Sequence, residues 1–235
     1  MKAGILAAGW GERLRAQGVT LPKPLVSVGG QPLIARLLHA VRQCGIAEVV
    51  CIVNAAFPEV ARYCQERDWG MPTQCLSKST VHSLESFLTL QPHLEAEPFL
   101  LLTIDAVFPR AALSSFLHQA RHYPEADGVL GVTPFVDDEK PLWAMLDGDK
   151  RILRLGPSAQ TGGLVTAGVY FFAPSVFREA EAARRRKFTA FRQFLAHLVT
   201  SGYGLYGYLI PKVIDVDRPA DIVTAEALLA ELGEE

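Results

Sequence analysis

The chain has 235 residues, of which 49% are hydrophobic and 20% are charged, and its formal net charge at pH 7 is −2. A chain of this length can bury a large core, as one domain or as two small ones. A net charge this close to zero gives no overall attraction to nucleic acid or to an anionic membrane, so any anion must be bound by a local group of residues. We therefore expect neither a nucleic-acid partner nor a membrane partner.

The cysteines and the first residues of the chain indicate a reducing compartment. Four cysteines, at positions 44, 51, 64 and 75, show neither C-x-x-C nor zinc-ligand spacing, so buried reduced thiols fit them better than disulfides or a metal. The first apolar run, residues 5–8, is short and is followed at once by charged residues, which is unlike a secretory signal. No apolar run approaches the roughly 20 residues that cross a bilayer. We therefore expect a cytoplasmic protein.

Strand and helix patterns alternate along the first part of the chain. Short apolar runs predict buried parallel strands, and apolar residues spaced three and four apart predict helices. The predicted strands cover residues 2–8, 48–53, 73–76, 98–104 and 128–133. The predicted helices cover residues 32–44, 58–69, 83–90 and 111–122, and the third of them ends before Pro92. This order predicts a parallel sheet with helices on both faces.

The second part of the chain combines a hairpin with further strands and helices. Residues 142–146 and 151–155 flank a Gly-Asp turn and predict the hairpin. Strands are predicted over residues 164–172, 204–210 and 213–216, and helices over residues 174–185, 188–201 and 220–232. We expect one α/β domain over residues 1–235, with a mostly parallel mixed sheet. Its second half, from about residue 136, adds a small antiparallel extension to the half that ends at about residue 135 and elaborates a ligand pocket.

The stretch after the first strand, LAAGWGERLRAQGVTLPKPLVSVGGQPLI (residues 6–34), has the features of an anion-binding loop. Open α/β sheets bind ligands at the carboxyl ends of their strands, which is where this stretch begins. Gly9 and Gly11 let the backbone approach a ligand, and successive N–H groups there can cradle phosphate oxygens. Arg13 is close enough to reach the same anion, and prolines on both sides of Lys23 restrict the backbone that presents its ammonium. The stretch matches neither Walker A nor the three-glycine dinucleotide fingerprint.

The order LAAGxGxRL, PKPL and GxPLI in this stretch resembles the nucleotidyltransferase family that makes sugar nucleotides and related activated alcohols. The resemblance implies a single Rossmann-like nucleotidyltransferase domain. It also implies a reaction in which a substrate phosphate attacks the α-phosphorus of a nucleoside triphosphate and pyrophosphate leaves. Because the nucleophile is already an anion, this chemistry needs positioning and charge neutralisation rather than a general base.

The resemblance assigns roles to residues of the loop. Gly11 and Arg13 are expected to hold the phosphates, and Lys23 the α-phosphate and its transition state, so Arg13 and Lys23 are the expected catalytic residues. The backbone expected to receive the base and ribose is that of Leu6, Ala7, Ala8 and Gly9.

Two acidic positions are expected to hold Mg²⁺. Asp105 ends the apolar run PFLLLTI, where the family places a metal ligand after a glycine that is Ile104 here; the alternative role for Asp105 is a cap of the next helix. The stretch KVIDVDRPADI (residues 212–222) resembles the family's second acidic motif, with Asp215 as the preferred ligand and Asp217 as the alternative ligand or the N-cap of the following helix. Without metal we expect Asp105 and Asp215 to repel each other and one of them to hold a proton. Mg²⁺ would remove this repulsion and bridge to the triphosphate, so metal and nucleotide should bind cooperatively.

The stretch LSKSTVHSLESF (residues 76–87) lies where relatives carry a loop that touches the base and the incoming substrate. It resembles the versions found in sugar-phosphate and phosphocholine transferases. Ser79, Thr80 and Ser83 are the candidate ligand contacts, with Ser79 and Ser83 expected to bind the nucleotide. For Ser83 the alternative is a plain helix N-cap.

The stretch GLVTAGVYFF (residues 163–172) matches the pocket strand of the family. Thr166 and Gly168 are the expected substrate contacts, since a glycine lets a substrate ring approach the backbone. Relatives specific for sugars often carry Glu-Lys-Pro after the hairpin, whereas here the tripeptide occurs before it, at residues 139–141.

Together these features predict a Mg²⁺-dependent nucleotidyltransferase whose partners are a nucleoside triphosphate and a phosphorylated small molecule, with a sugar 1-phosphate as the first choice. Transfer to phosphocholine or to a molybdenum cofactor is the alternative on the same fold. A nucleotide-sensing module without turnover is the alternative from another class. The joint presence of Arg13, Lys23, Asp105 and Asp215 argues against sensing alone, which needs no metal pair.

Overall fold

The computed structural model of the chain describes residues 1–136 and 140–234. Its strands, in chain order, are β1 (Lys2–Ala7), β2 (Ser27–Val28), β3 (Gln31–Pro32), β4 (Glu48–Val53), β5 (Thr73–Ser77), β6 (Phe99–Thr103), β7 (Ala106–Val107), β8 (Gly128–Thr133), β9 (Trp143–Leu146), β10 (Ile152–Leu155), β11 (Leu164–Phe172), β12 (Leu205–Leu209) and β13 (Ile214–Asp215). Its α-helices are α1 (Glu12–Ala16), α2 (Leu33–Gln43), α3 (Pro58–Gln65), α4 (Ser83–Leu94), α5 (Arg110–Ala120), α6 (Ala180–Arg185), α7 (Phe191–Thr200) and α8 (Pro219–Glu231).

Within the described residues, nine of these strands form one mixed sheet. Seven follow the order β10-β9-β11-β6-β1-β4-β5, and β8 joins β11 to β12. Strands β6, β1, β4 and β5 run parallel, and β12 runs parallel to β8. Strand β11 is antiparallel to β6, β8 and β9, and β9 forms the predicted hairpin with β10. The predicted mostly parallel sheet with a small antiparallel extension is confirmed.

Helices cover both faces of the sheet and bury two hydrophobic clusters. One cluster takes in side chains of α2, α3, α5 and α8, and the other takes in side chains of α4, α6 and α7. The central strands are apolar on both sides, since β4 reads EVVCIV and β6 reads FLLLT. Such runs belong in strands that are covered on both faces. The predicted helices on both faces are therefore confirmed.

The prediction that a helix ends before Pro92 is wrong, because α4 continues through Pro92 to Leu94. Pro92 lacks the N–H that would bond to the carbonyl of Leu88, and a proline inside a helix costs about 3 kcal/mol. Leu90 and Leu94 are only 0% and 1% exposed. Burying two leucine side chains contributes about 3–6 kcal/mol, which is enough to carry the helix past the proline.

Three other helix boundaries differ from the predictions. Helix α3 ends at Gln65, because the indole Nε1 of Trp69 donates to the carbonyl of Cys64 at 2.7 Å and satisfies the helix end. Helix α7 begins at Phe191, where Gln193 Oε1 accepts from the N–H of Ala190 at 2.9 Å. The predicted helix over residues 174–185 is a 3₁₀ helix followed by α6.

The sequence predicted reduced thiols and showed no apolar run long enough to cross a bilayer. In the described ranges, no helix has the length and apolar character needed to span a membrane. The four cysteines are free thiols, two of them buried (Cys51 and Cys64) and two partly buried (Cys44 and Cys75). The prediction of unpaired thiols is thus confirmed.

Gly4 in β1 lies directly under α4, which yields a test of this packing. A Cβ at Gly4 would lie 2.8 Å from Cδ1 of Leu94 and 3.1 Å from Cδ1 of both Leu90 and Leu101. All three leucines are buried, so Gly4→Ala should overpack this layer and lower the free energy of unfolding by about 1–3 kcal/mol in urea titrations. Gly148→Ala is the control, since a Cβ there has no neighbour within 4 Å. Equal stabilities of the two variants would contradict the packing.

Candidate active site

A cleft of about 530 Å³ opens at the carboxyl ends of β1 and β6 and beside the middle of β11. Leu6 and Gly9 line it from the end of β1, Asp105 from the turn after β6, and Thr166 and Gly168 from β11. The carboxyl ends of parallel strands are where open α/β sheets bind ligands. The volume falls in the range of small-molecule sites, about 300–1,000 Å³.

The glycine loop after β1 leads directly into the short helix α1, which the sequence did not predict. Gly11 has φ 63° at the helix start, in the left-handed region that favours glycine. A Cβ at Gly11 would also lie 3.1 Å from Cβ of Lys23. The helix turns Arg13 toward the cleft, where its Nη1 donates to Oδ2 of Asp217 at 2.8 Å.

Lys23 is held at the base of the cleft by a tight backbone turn. Lys23 is the first residue of the 3₁₀ helix Lys23–Leu25, next to a turn in which the N–H of Leu25 donates to the carbonyl of Pro22 at 2.8 Å. Lys23 is only 6% exposed. Its Nζ donates to Oδ2 of Asp105 at 2.9 Å and to Oδ1 of Asp217 at 2.5 Å. One ammonium therefore joins two carboxylates from distant parts of the chain.

A small antiparallel pair of strands brings those carboxylates together. Strand β13 pairs with β7 so that Asp215 lies opposite Ala106, and the N–H of Val216 donates to the carbonyl of Asp105 at 3.0 Å. Asp105, Asp215 and Asp217 all line the cleft. The expected meeting of the two acidic motifs at one end of the sheet is confirmed by this register.

The buried ion pairs set the charge states of Lys23 and Asp105. Burial alone would lower the pKa of Lys23, but the carboxylates of Asp105 and Asp217 outweigh it and hold that pKa above its ordinary value. Burial alone would raise the pKa of Asp105, but the Lys23 ammonium and the Thr103 hydroxyl hold that pKa below its usual range. Of the two carboxylates, Asp105 is therefore not the one that holds the expected proton, because a buried lysine neutralises it.

The wall of the cleft opposite the glycine loop is built on β11 and the start of α7. The β11–β8 pairing shifts register between Thr166 and Tyr170, and Gly168 inside this bulge has φ 70°. A Cβ at Gly168 would lie 2.4 Å from Oγ1 of Thr103. Burial raises the pKa of Tyr170, while its hydrogen bond with Thr166 opposes that rise, and Arg192 lies on the same wall. This wall thus carries hydroxyls and one guanidinium.

Most of this chain matches the model of a known protein family. Residues 3–198 match the family model described as the MobA-like NTP transferase domain. The chain belongs to this family. The resemblance to nucleotidyltransferases that the glycine loop and the proline-flanked lysine indicate is thereby confirmed.

Named relatives of this MobA-like domain act on nucleotides and sugar phosphates. The chain is 28% identical to a protein named probable mannose-1-phosphate guanylyltransferase 1 from Oryza sativa subsp. japonica, over 95% of the chain and 63% of the relative. It is 27% identical to mannose-1-phosphate guanyltransferase of Emericella nidulans, over 97% of the chain and 64% of the relative. The chain thus spans less than two thirds of the length of these curated relatives.

A solved structure shows the same fold. The inositol-1-phosphate CTP transferase from T. maritima superposes with a TM-score of 0.84 at 22% identity, covering 99% of this chain and 96% of that one. The Rossmann-like architecture of the domain is therefore shared over essentially its full described length.

Most residues that the sequence singled out converge on the one cleft. Ala7 and Ser79 are the two that do not line it. Those that line it are Leu6, Ala8, Gly9, Gly11, Arg13, Lys23, Thr80, Ser83, Asp105, Thr166, Gly168, Asp215 and Asp217. Of the tripeptide at 139–141, Glu139 lies outside the described residues, and Pro141 lines the cleft.

The two serines expected to bind the nucleotide, Ser79 and Ser83, make bonds within the protein. Ser79 Oγ donates to Oδ1 of Asn54 at 2.9 Å, and Nδ2 of Asn54 donates to the carbonyl of Ala8 at 3.2 Å. Ser83 Oγ accepts from the N–H of Phe191 at 2.9 Å, so it caps the first turn of α7 rather than α4, which begins at Ser83 itself. The N-cap alternative for Ser83 on its own helix is wrong.

The N-cap alternatives for the acidic residues are also wrong. Helix α5 begins at Arg110, well beyond Asp105, and the carboxylate of Asp217 is engaged by Lys23 and Arg13. The start of α8 is held instead by Oδ2 of Asp221, which accepts from the N–H of Asp217 at 2.8 Å and from that of Arg218 at 2.6 Å. This is the reach-back half of a capping box.

Three polar residues at or next to the cleft, Asn54, Ser86 and Arg192, were not singled out in the sequence. Asn54, 1% exposed, joins the end of β1 to the 76–87 stretch. The hydroxyl of Ser86 bonds at 2.6 Å to that of Thr80, an expected ligand contact, in the cleft wall. Arg192 lines the cleft, and its Nη1 donates to the carbonyl of Lys140 at 2.6 Å. Arg192 could have been noticed in the sequence as a charged residue within the predicted helix over 188–201.

The donor set suits a hard cation with few protein ligands. Asp105 and Asp217 place carboxylate oxygens around one shared cation, the Lys23 ammonium. In the part of the chain that the structure describes, no group of three His, Cys, Asp or Glu side chains is arranged to hold a metal. Mg²⁺ is commonly held by one or two carboxylates plus substrate phosphates and water, so these residues fit it.

The reach-back bond of Asp221 can be tested by stability. Asp221→Ala removes the acceptor for two backbone N–H groups at the start of α8 and should lower the free energy of unfolding by about 0.5–2 kcal/mol. Glu231→Ala removes a carboxylate from the last turn of the same helix and should change it by less than about 0.5 kcal/mol. Chemical denaturation measures both, and a wild-type stability for Asp221→Ala would contradict the capping role.

Proposed function

We propose that this MobA-like domain is a nucleotidyltransferase that transfers a nucleoside monophosphate from a nucleoside triphosphate to a phosphorylated small molecule, most simply a sugar 1-phosphate. The observation that carries the proposal is the buried Lys23 ammonium, which is shared by Asp105 and Asp217 beside a glycine loop. Family membership supports the reaction class. The names of the curated relatives support the choice of a sugar 1-phosphate.

The protein's part in this reaction is to position anions and to neutralise charge. An oxygen of the acceptor phosphate forms a bond to the α-phosphorus while the bond from that phosphorus to the bridging oxygen breaks, and pyrophosphate leaves with those electrons. The backbone at Gly9 and Gly11 would hold the triphosphate, with Arg13 on its phosphates. Lys23 would place its ammonium on the α-phosphate, where negative charge develops in the transition state.

The carboxylates would hold the metal. Asp105 and Asp217 are the proposed ligands, because they already share a cation, and Asp215 is the alternative second ligand, because it lines the same cleft beside Ala106. Mg²⁺, when bound, would supply further positive charge to the triphosphate and the leaving pyrophosphate.

The acceptor is assigned to the wall formed by β11 and α7. Thr166 and Gly168 lie there, as expected of substrate contacts, together with the hydroxyl of Tyr170 and the guanidinium of Arg192. Hydroxyl donors and acceptors suit a polyol, and a guanidinium suits a phosphate. The relatives named for mannose 1-phosphate make GTP with mannose 1-phosphate the first pair to test.

The decisive experiment combines a nucleotide screen with a turnover assay. Thermal unfolding with each common nucleoside triphosphate and Mg²⁺ identifies the base, since a ligand at 100 times its Kd adds about 2.7 kcal/mol of stability. Pyrophosphate release is then followed with mannose 1-phosphate, other sugar 1-phosphates and phosphocholine. Release with any acceptor excludes a nucleotide sensor. Stabilisation by a nucleotide without release from any acceptor would overturn the transferase proposal.

Substitution of Lys23 tests its role in turnover. Lys23→Met removes the ammonium from the α-phosphate and should lower kcat by about 10²-fold or more, the scale of one lost transition-state contact. Lys2→Met is the matched control, because Lys2 pairs with Glu48 at 2.8 Å at the opposite end of β1. The control should retain wild-type kcat in the pyrophosphate assay. Undiminished kcat in the Lys23 variant would remove this residue from the mechanism.

Two conservative substitutions distinguish the second metal ligand. Asp217→Asn should raise the Mg²⁺ concentration for half-maximal turnover by at least about tenfold, or about 1.4 kcal/mol of binding free energy. Asp215→Asn should raise it less, because Asp217 is the carboxylate that shares the Lys23 ammonium with Asp105. A larger rise in this Mg²⁺ concentration for Asp215→Asn than for Asp217→Asn would assign the metal to Asp105 and Asp215.

Two further proposals rest on the sequence. We propose that residues 1–235 act as one domain, with the first half, to about residue 135, binding the nucleotide and the second half binding the acceptor. We also retain the cytoplasm as the expected location.

A further inference from the structure

The position between Asp105 and Asp217 is filled by a side chain of the protein itself. Nζ of Lys23 lies 2.9 Å from one carboxylate and 2.5 Å from the other, and Lys23 is almost fully buried there. Mg²⁺ binds carboxylate oxygens at 2.0–2.1 Å. An ammonium at these distances occupies the position from which a metal would bridge the same two oxygens. Lys23 and a divalent metal must therefore exclude each other at this position.

The charges of the cluster lead to the same conclusion. Asp105 and Asp217 carry two negative charges, and Lys23 and Arg13, which donates to Asp217 at 2.8 Å, carry two positive charges. A dication that took over the two carboxylates without a nucleotide would leave the Lys23 ammonium buried without a partner.

We infer that Lys23 is the resident counter-ion of the Asp105–Asp217 pair and is exchanged for the metal when the metal arrives with a triphosphate. This inference rests on the proposed function, which supplies the anion that accepts the ammonium. The triphosphate takes over Lys23 at its α-phosphate, and the two carboxylates are released for the metal. The prolines on both sides of Lys23 fix its backbone, so the exchange is a movement of the side chain alone.

The exchange gives Lys23 a second role, in addition to its contact with the α-phosphate. It keeps a divalent cation from binding strongly to the protein before the nucleotide does. Removal of the ammonium leaves Asp105 and Asp217 without their buried counter-ion, and a divalent cation should then bind without any nucleotide.

The test is metal binding in the absence of nucleotide and acceptor. Isothermal titration of the full chain with Mn²⁺ should give a Kd at least tenfold lower for Lys23→Met than for the wild type. Lys2→Met removes the same charge from an ion pair at the opposite end of the sheet and should bind as the wild type does. Lys23→Met combined with Asp105→Asn should lose the gain, because the site then lacks one carboxylate.

Three outcomes would overturn the inference. They are an unchanged Kd in Lys23→Met, an equal gain of affinity in Lys2→Met, and a gain of affinity that survives Asp105→Asn.

Circular dichroism establishes that each variant is folded, and Lys23→Gln, a neutral side chain that still donates to a carboxylate, serves if Lys23→Met does not fold. Should neither fold, Mn²⁺ binding to the wild type decides: a Kd that a bound non-hydrolysable triphosphate does not lower overturns the exchange. The variant comparison contains no nucleotide, so it fails or succeeds separately from the transferase assay.

Discussion

One buried ammonium between two carboxylates holds the active cleft together. The two hydrogen bonds of Lys23 join residues that are 82 and 194 positions apart, and Arg13 adds a link across 204 positions. A buried charge is tolerated when it is paired and hydrogen-bonded, and loss of one partner is costly because the other is left alone. The glycine loop, the turn after β6 and the segment before α8 are thus positioned by the same charges to which we assign the chemistry.

The two sides of the cleft are also joined by neutral polar bonds. Ser83, in the first turn of α4, accepts from the N–H of Phe191 at the start of α7, next to Arg192 on the cleft wall. Asn54 fixes the end of β1 to Ser79. Asn54 and Ser79 do not line the cleft themselves. Residues that orient the wall are therefore as much part of the site as those that face the cleft.

Local patterns in the sequence predicted the elements and most of the cleft. Glycines and prolines affect the backbone only within a few residues, so the turn at Gly11 and the prolines on both sides of Lys23 could be recognised directly from the sequence. The partners of Lys23 could not be paired with it by local reasoning, because they come from distant strands and depend on the β7–β13 register. Asp217 shows the limit most clearly, since its position before α8 is typical of an N-cap, yet Asp221 performs that task three residues into the helix. Pro92 shows the other limit, where burial of leucines outweighs a local helix breaker.

The pairing of β13 with β7 has a consequence for the order in which the protein matures. Strand β13 and Asp217 belong to the last fifth of the chain, whereas Lys23 and Asp105 are synthesised much earlier. During translation the sheet from β1 to β6 can form while Lys23 has only one of its two carboxylates. Lys23 gains its second carboxylate when the segment that contains β13 docks onto β7, so completion of the cleft is a late step of folding. Long-range pairings of this kind form after local ones, because the loop that they close is long.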